Sequence, residues 1–415
     1  MSSQVKTSGS SIGDSATITR KGNVSGFSKP KENSAIDAFG KTFNAPMYTI
    51  KDILSAIPAH SYERRLTTSF YYVFRDIAMM ATMGYVANTY IAVLPFAALR
   101  FAAWFAYVFV QGLIGTGVWV LAHECGHQAF SDYGLVNDTV GWILHSYLMV
   151  PYFSWKYSHG KHHKATGHLT RDMVFVPYTK EQYLKKHNVT SAMDLVEEAP
   201  AVALWSLFLQ QFGGWWAHLL SNVSGQPFPD TPAYAKSHFW PSSKIFDKRD
   251  YWFIVLSDVG IASMLFVLYK WYQNFGLFNV AVNWFLPYLW VNHWLVFITY
   301  LQHSDPKMPH YEAEQWNFAR GAAATIDREF GFIGKHLFHD IIETHVLHHY
   351  VSRIPFYNAR EATVEIKKVM GEHYMYSDEN MFVALWNSKR WCQFVEGDNG
   401  IMMFRNSNGL GVAPK

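Results

Sequence analysis

Two stretches early in the chain, residues 77–99 and 101–122, carry no Asp, Glu, Lys or Arg, and only Arg100 separates them. At about 1.5 Å of rise per residue, either one as a helix crosses a hydrocarbon layer of roughly 30 Å. Lipid offers no partner to a backbone N–H or C=O, so segments this apolar must close their hydrogen bonds internally, as helices do. Pro95 and Arg100 mark the bend of a tight helical hairpin. Arg64, Arg65 and Arg75 crowd the approach to it, which places the N-terminal side on the cytoplasmic face and returns residue 123 to that face.

A second hairpin is expected from residues 251–269, interrupted by Asp258, and from a run that lacks Asp, Glu, Lys and Arg from Trp271 to Ser304, of which 277–300 would span. A carboxylate at the depth of Asp258 is buried against a neighbouring helix or lies near a cavity, and no catalytic role is assigned to it. Residues 141–153 are too short to cross and read as re-entrant or interfacial. Residues 199–220 are apolar, yet Gln210, Gln211, Gly213, Gly214, Trp215, Trp216 and His218 favour an interfacial helix over an inserted one. The expected architecture is an all-α integral membrane protein with four transmembrane helices in two hairpins. Residues 123–250 and 303–415 would form a helical cytoplasmic cap, and Ser/Gly-rich residues 1–45 a disordered tail before a single domain, 46–415.

Composition supports a mixed object. Charged residues make up only 16% and aromatic residues 17% of the chain, against about a quarter charged in ordinary soluble domains. A mean hydropathy of −0.04 excludes a chain that is membrane throughout. The net charge of +3 gives no argument for nucleic acid. Cys125 and Cys392 are the only cysteines, which excludes a disulfide scaffold and a Cys-based zinc site. The start of the chain is polar, so a cleaved secretory signal is not expected.

Chemistry concentrates in three histidine clusters, each just beyond an apolar segment on the expected cytoplasmic side. His123 and His127 are four residues apart, so both imidazoles leave one helical face. His159, His162 and His163 form an HxxHH, and His345, His348 and His349 form another; on a helix all three rings of each are expected to converge. Eight clustered imidazoles suit iron, copper, zinc or nickel, and the lack of a cysteine set excludes iron–sulfur. They are too many for one tetrahedral zinc and fit two metals of four or five ligands each. Two irons facing an apolar membrane suggest oxygen chemistry on an unactivated C–H bond, which no side-chain base can deprotonate. A histidine-rich metal transporter is the reading from a different class. It calls for several ionisable residues within the spans, where only Asp258 and His293 qualify.

These residues resemble the membrane-bound fatty-acyl desaturases with three histidine boxes, over residues 48–404. The three-residue gap in the first box is similar to the acyl-lipid branch. Gly115-Thr116-Gly117-Val118-Trp119-Val120-Leu121-Ala122-His123-Glu124-Cys125-Gly126-His127 and Phe338-His339-Asp340-Ile341-Ile342-Glu343-Thr344-His345-Val346-Leu347-His348-His349 resemble the fungal oleate Δ12-desaturases. Gln128 stands where plant relatives carry a further histidine. The resemblance implies a diiron site and places a ninth ligand at His303, with His293 as its rival. His168, His310, His336 and His339 flank the boxes without matching them, and His336 and His339 read as supporting or surface groups. Asp172, Asp340 and Glu343 are candidates for orienting ligand imidazoles by accepting their free N–H.

What the resemblance implies for activity is desaturation at Δ12 of phospholipid-bound oleoyl chains to linoleoyl. Dioxygen would be the co-substrate, and electrons would come from a separate cytochrome b5 and its NADH-dependent reductase, since no His-Pro-Gly-Gly haem motif occurs. Lys156, Lys161 and Lys164 could dock that acidic partner or meet anionic headgroups. An ω3 desaturase, a bifunctional Δ12/ω3 enzyme and a 12-hydroxylase share the boxes and stay open. The implied location is the endoplasmic reticulum membrane, multi-pass, with both termini cytoplasmic; a homodimer is left open.

Overall fold

The computed structural model describes residues 32–191 and 194–414. After a small hairpin of β1 (Ser34–Ile36) and β2 (Thr42–Asn44) come α1 (Ile50–Ala56), α2 (Leu66–Tyr90), α3 (Ala97–Gly126), α4 (Gly134–Tyr147), α5 (Tyr152–Ala165) and α6 (Lys180–Lys186). Next come α7 (Pro200–Ser221), α8 (Tyr251–Val280), a π-helical turn (Ala281–Phe285), α9 (Leu286–His303), β3 (Pro309–Tyr311), α10 (Phe318–Ala323) and β4 (Asp327–Arg328). The chain closes with α11 (His345–Tyr350), α12 (Phe356–Met370), β5 (Tyr376–Ser377), α13 (Met381–Trp391), β6 (Phe394–Glu396) and β7 (Ile401–Arg405).

The centre of the molecule is α3, packed against α2, α4 and α9. Its contact with α9 is made at glycines. A Cβ on Gly112 would lie 2.2 Å from Trp290 Cβ, and one on Gly115 would lie 2.8 Å from Val291 Cγ2. Small residues let two apolar helices approach where lipid supplies no hydrophobic drive between them. That approach fixes α3, which carries the first histidine box, against the helix that ends in His303.

Two stretches, Ala97–Gly126 and Lys248–His303, are long and apolar enough to cross a bilayer. The second is broken at Gly276, whose φ of 77° and ψ of 169° lie in a region essentially reserved for glycine. The Phe153 amide donates to Ser257 Oγ at 2.8 Å, so the start of α8 and the end of α9 both reach the neighbourhood of α5.

Several boundaries differ from expectation. The helix over the first expected span, α2, begins at Leu66 and ends at Tyr90, well short of residue 99. Its early turns bury Ser69, Val73 and Asp76, an amphipathic start that a search for charge-free runs passes over. Its end is set by Pro95, which holds Leu94 extended (φ −62°, ψ 140°). In the region 141–153, α4 starts earlier and stops at Tyr147. The helix α7 buries Ala203, Leu207, Gln211, Trp215 and Leu219 against the body of the protein and leaves Trp205, Phe208, Leu209 and Leu220 exposed.

The architecture is mostly helical, but not all-α. Among the described residues three small sheets occur: β1-β2, β3-β7-β6 and the parallel pair β4-β5. The β6–β7 hairpin turns at Gly397-Asp398-Asn399-Gly400, a turn signal between apolar runs that the sequence displays. Of the expected disordered tail, residues 1–31 lie outside the described residues, whereas 32–45 are ordered: Ala35 and Ala45 pack with Tyr311 and Met403.

Candidate metal centre

The first box lies at the end of α3, with His123 in the last turn and His127 as the residue that closes the helix (φ −82°, ψ −1°). The second box occupies the last turns of α5, the third makes up most of α11, and His303 ends α9. Four helix termini thus meet at one level and deliver nine imidazoles.

The nine fall into two groups. Ring nitrogens of His123, His127, His159, His163 and His348 lie within 4.8 Å of one another, and those of His162, His303 and His349 form a second such group. His345 joins the second group, its Nε2 3.0 Å from His303 Nε2. Neither HxxHH converges as a unit. Along a helix, residues i+3 and i+4 fall about 100° apart on either side of residue i. So α5 sends His159 and His163 to one group and His162 to the other, while α11 sends His348 to the first and His345 and His349 to the second. At the seam, the His163 and His349 rings stack 4.2 Å apart at 8°.

The spacing fits metal ions. His159 and His123 Nε2 are 3.2 Å apart, His163 and His159 Nε2 3.1 Å, and His162 and His303 Nε2 3.3 Å. Ligand nitrogens at about 2.0–2.1 Å from a first-row metal stand roughly 2.8–3.4 Å from their neighbours in octahedral or tetrahedral arrangements. The Nε2 atoms of His127, His348 and His349 are buried with no hydrogen-bond partner. Buried nitrogens are rarely left so, and these three point to an ion as the missing partner.

Two neighbours fix ring tautomers. His162 Nδ1 lies 2.5 Å from Asp172 Oδ1, and Asp172 is itself held by the Gly167 amide at 2.9 Å. Thr166 Oγ1 donates to His162 O at 2.8 Å, so it accepts from His349 Nδ1 at 3.0 Å. With the proton on Nδ1, both rings turn an Nε2 lone pair inward. Asp327 Oδ1 takes the Val346 amide at 2.7 Å and so anchors the start of α11.

Burial also sets protonation. Desolvation pushes His123 down to about 3, and it holds His127, His159, His163, His303, His345, His348 and His349 well below the ordinary imidazole range, with neighbouring imidazoles adding to it. Neutral imidazole is the form that binds metal.

The remaining candidates separate clearly. Asp340 pairs with Arg360, whose Nε donates to Oδ1 at 2.8 Å. Glu343 Oε1 accepts the Phe330 amide at 3.1 Å, and its Oε2 is buried without a partner. Neither carboxylate is bonded to a box histidine. His293 stacks on Phe212 of α7 at 5.0 Å, away from both groups. His310 packs on Phe404, and His339 is buried with Asp76 Oδ2 at 2.7 Å, tying the cap to α2. Sequence reasoning missed Thr166, Asp327, Asp76 and a buried chain in which His238 Nε2 meets Ser158 Oγ at 3.0 Å beside His218. Thr166 alone carried a local signal, four residues after His162 on the same helical face.

A cavity of about 1730 Å³ opens onto His159 and His162 past Trp119 and Trp155, and continues between α7 and α9 along Gly214 and Val296. Its walls near the imidazoles are aromatic.

Comparison with known proteins agrees with this chemistry. A family described as fatty acid desaturase matches residues 55–379. The chain is 46% identical over 406 residues to an oleate hydroxylase from Claviceps purpurea, covering 91% of this chain and 85% of that one. It is 45% identical over 381 residues to a Delta(12) fatty acid desaturase from Mortierella alpina, covering 90% and 94%. A Delta(12)-fatty-acid desaturase from Arabidopsis thaliana is 42% identical over 353 residues, covering 85% and 89%.

Asp172→Asn is expected to lower metal affinity about 10–100-fold, as loss of an imidazole-orienting carboxylate does, whereas Asp340→Asn leaves it unchanged. Iron per chain after dialysis against graded chelator checks both; equal retention in the two variants sinks the assignment of Asp172. Stability should respond to pH in two senses. Burial pushes His310 down to about 3, so stability falls as pH drops from 6.5 towards that value. Burial pushes Glu343 up to about 8, so stability is lost as pH rises from 4.5 towards 8. Melting temperatures of the Glu343→Gln variant should therefore gain on the parent as pH rises through that window; parallel curves would refute the shift.

Proposed function

The chain belongs to the fatty acid desaturase family, and on that premise we propose that it is an O2-dependent oxidoreductase that makes a cis double bond at Δ12 of lipid-bound oleoyl chains. The observation that carries this reading is the pair of imidazole groups, each with one member, His159 or His162, lining a cavity of about 1730 Å³. His123, His127, His159, His163 and His348 would hold one iron, and His162, His303, His345 and His349 the other. When bound, such a pair supplies the oxidising power to take hydrogen from an unactivated methylene. Two neighbouring carbons each give up one hydrogen, and dioxygen with two electrons and two protons leaves as two waters.

The protein's own part is binding, orientation and exclusion of water. Trp119 and Trp155 wall the cavity beside the imidazoles. Asp172 and Thr166 keep the Nδ1 protons in place, so the inward nitrogens stay free. The space between α7 and α9 receives the chain from the membrane side. A separate cytochrome b5 with an NADH-dependent reductase is the proposed donor. Of the three lysines near the boxes, Lys156 and Lys161 are already paired with Asp138 and Asp247 at 2.5 and 3.0 Å, which leaves Lys164 as the exposed one.

We place the protein in the endoplasmic reticulum membrane with four spans, both termini cytoplasmic, and residues 46–415 as one domain. The break at Gly276 and the approach of Ser257 to Phe153 support a second hairpin. A 12-hydroxylase is the second reading, favoured by the identity to the Claviceps purpurea oleate hydroxylase.

Expression in a host that makes only monounsaturated fatty acids should yield 18:2 Δ9,12; a 12-hydroxy acid instead supports the second reading. A Cβ on Gly214 would meet nothing closer than 3.7 Å, so a larger side chain there extends into the cavity without breaking the helix. Gly214→Phe should cut product at least tenfold while iron content holds; unchanged product would remove the α7–α9 space from the substrate's path. Four glycosylation sequons occur, at Asn23, Asn137, Asn188 and Asn222; Asn23 lies outside the described residues, Asn137 and Asn222 are buried, and Asn188 is exposed. Mass spectrometry should find Asn188 bare, and glycan on it would overturn the topology.

A further inference from the structure

Two helices independently place the edge of the bilayer on the side of the cap. Arg100 is the last charged residue before the apolar run of α3, and Gly276 breaks the chain just before the run that ends in α9. At about 1.5 Å per residue, a hydrocarbon layer of roughly 30 Å counted from Phe101 ends near Val120; counted from Leu277, it ends near Phe297. Each of these positions lies within two turns of the box or ligand imidazole that follows it, His123 or His303.

Part of the cap reaches down to that edge. Between β4 and α11 the chain runs against α3 and α9: a Cβ on Gly117 would lie 2.3 Å from Leu337 O, and the Phe338 ring is 5.7 Å from that of Trp294. Phe330 and, from the start of α13, Phe382 both pack on Phe297, at 6.0 and 5.7 Å. Gly117, Trp294 and Phe297 all stand at or inside the edge. Yet uncovered apolar side chains point out here: Phe332 is 70% exposed, Phe382 56% and Val383 48%. Gly331, with a φ of 60° and open space where a Cβ would stand, turns the chain into Phe332, and a π-helical turn, Ile333–Leu337, follows. Asn380 Oδ1 accepts from the amides of Phe382 and Val383 at 3.0 and 3.4 Å, so the first turn of α13 presents its apolar side chains with those donors satisfied. Satisfied donors matter where lipid offers no partner. Beside Phe332, Lys335 and His336 are exposed and Arg75 Nη2 donates to His336 O at 2.9 Å, a level at which basic groups meet headgroups.

We propose that residues 331–333 and 381–383 are two apolar prongs set among the acyl chains of the leaflet on the side of the cap. Charge-free runs alone put all of residues 303–415 in the cytoplasm; the contacts with α3 and α9 put these tips below the bilayer surface instead. Depth selects the occupant. A water-soluble partner does not reach rings that stand beside Phe297, because hydrocarbon already fills the space there. A second copy of this chain would cover them only by displacing that lipid. Exposed aromatic rings at the hydrocarbon edge, with basic groups next to them, are what an interfacial anchor consists of. The segment that leads into α11 is thereby held at the bilayer, so the third box takes its height from the lipid as well as from α9. The inference rests on α3 and α9 crossing a bilayer, and not on the chemistry at the imidazoles.

The test is photolabelling of the full, unmutated chain in phosphatidylcholine vesicles whose lipid carries a diazirine near the glycerol end of one acyl chain. Mass spectrometry then locates the labelled residues. Both prongs should take up at least about tenfold more label than Val364, an equally exposed apolar residue of α12 on the aqueous side of the cap. Phe105, exposed on α3, reports on the span itself. A second measurement places nitroxides on Phe332→Cys, Phe382→Cys and Val364→Cys, with the unsubstituted chain as background. Relative to oxygen, the chromium oxalate anion should reach the first two roughly tenfold less than the third, because hydrocarbon excludes the ion. Label on Phe105 without label on both prongs overturns the proposal and leaves the spans standing; no label on any of them overturns both. Nitroxides at 332 or 382 that are as open to the anion as that at 364 overturn it as well. So do nitroxides shielded from oxygen and anion alike, since protein would then be the cover.

Discussion

Everything in the cap depends on holding nine imidazoles together, away from water and without charge. Each protonated ring would repel eight neighbours in a medium that screens poorly, so the cluster is tolerable only when neutral. Burial enforces that state, and the inward nitrogens of His127, His348 and His349 then lack any partner within the protein. The same desolvation that keeps the rings neutral makes them a strong demand for metal. Ions bound to these groups would return the free energy spent on ordering them, so loading of such a site would be coupled to folding of the cap.

Helix geometry decides how the rings are shared. An i, i+4 pair leaves one face, while the i+3 residue departs about 100° away. Two HxxHH helices laid against each other consequently exchange their odd members, and each centre draws on both. His163 and His349 stack at the seam as a result. This reciprocity explains why the third box can be so short. The helix α11 spans only His345–Tyr350, less than two turns, and is held at its start by Asp327 rather than by its own length.

Much of this was legible in the residues, and the illegible part has a common cause. Charge-free length announced α3 and the run from α8 to α9, and histidine spacing announced the boxes. What spacing alone could not tell was how two boxes divide between two centres, because that depends on how helices distant in sequence are laid together. The carboxylates show the same limit. Asp172, Asp340 and Glu343 look equivalent beside their boxes, yet only Asp172 meets an imidazole, since Arg360 claims Asp340 and the Phe330 amide claims Glu343. Asp76 and the Asn88–Asn283 hydrogen bond escaped for another reason. Reading spans by the absence of charge hides an uncharged amide inside them and discards an acid at their edge. Of the small sheets, only the β6–β7 hairpin has a local turn signal, at residues 397–400; the other pairings join segments distant in sequence or very short.

The relatives bring the chemistry to a sharper point than the ligands do. An oleate hydroxylase at 46% identity and a Delta(12) fatty acid desaturase at 45% lie equally near the chain, so overall likeness does not separate one outcome from the other. Both outcomes begin with loss of one hydrogen from one methylene. They diverge at the second step, which is either departure of a hydrogen from the neighbouring carbon or return of oxygen to the first. The imidazoles alone do not encode that choice, whereas the walls beside them bear on it. Trp119 and Trp155 are held by packing against each other and against His123 and His159. The aromatic lining, packed against the same imidazoles, is therefore the part of the site placed to bear on position.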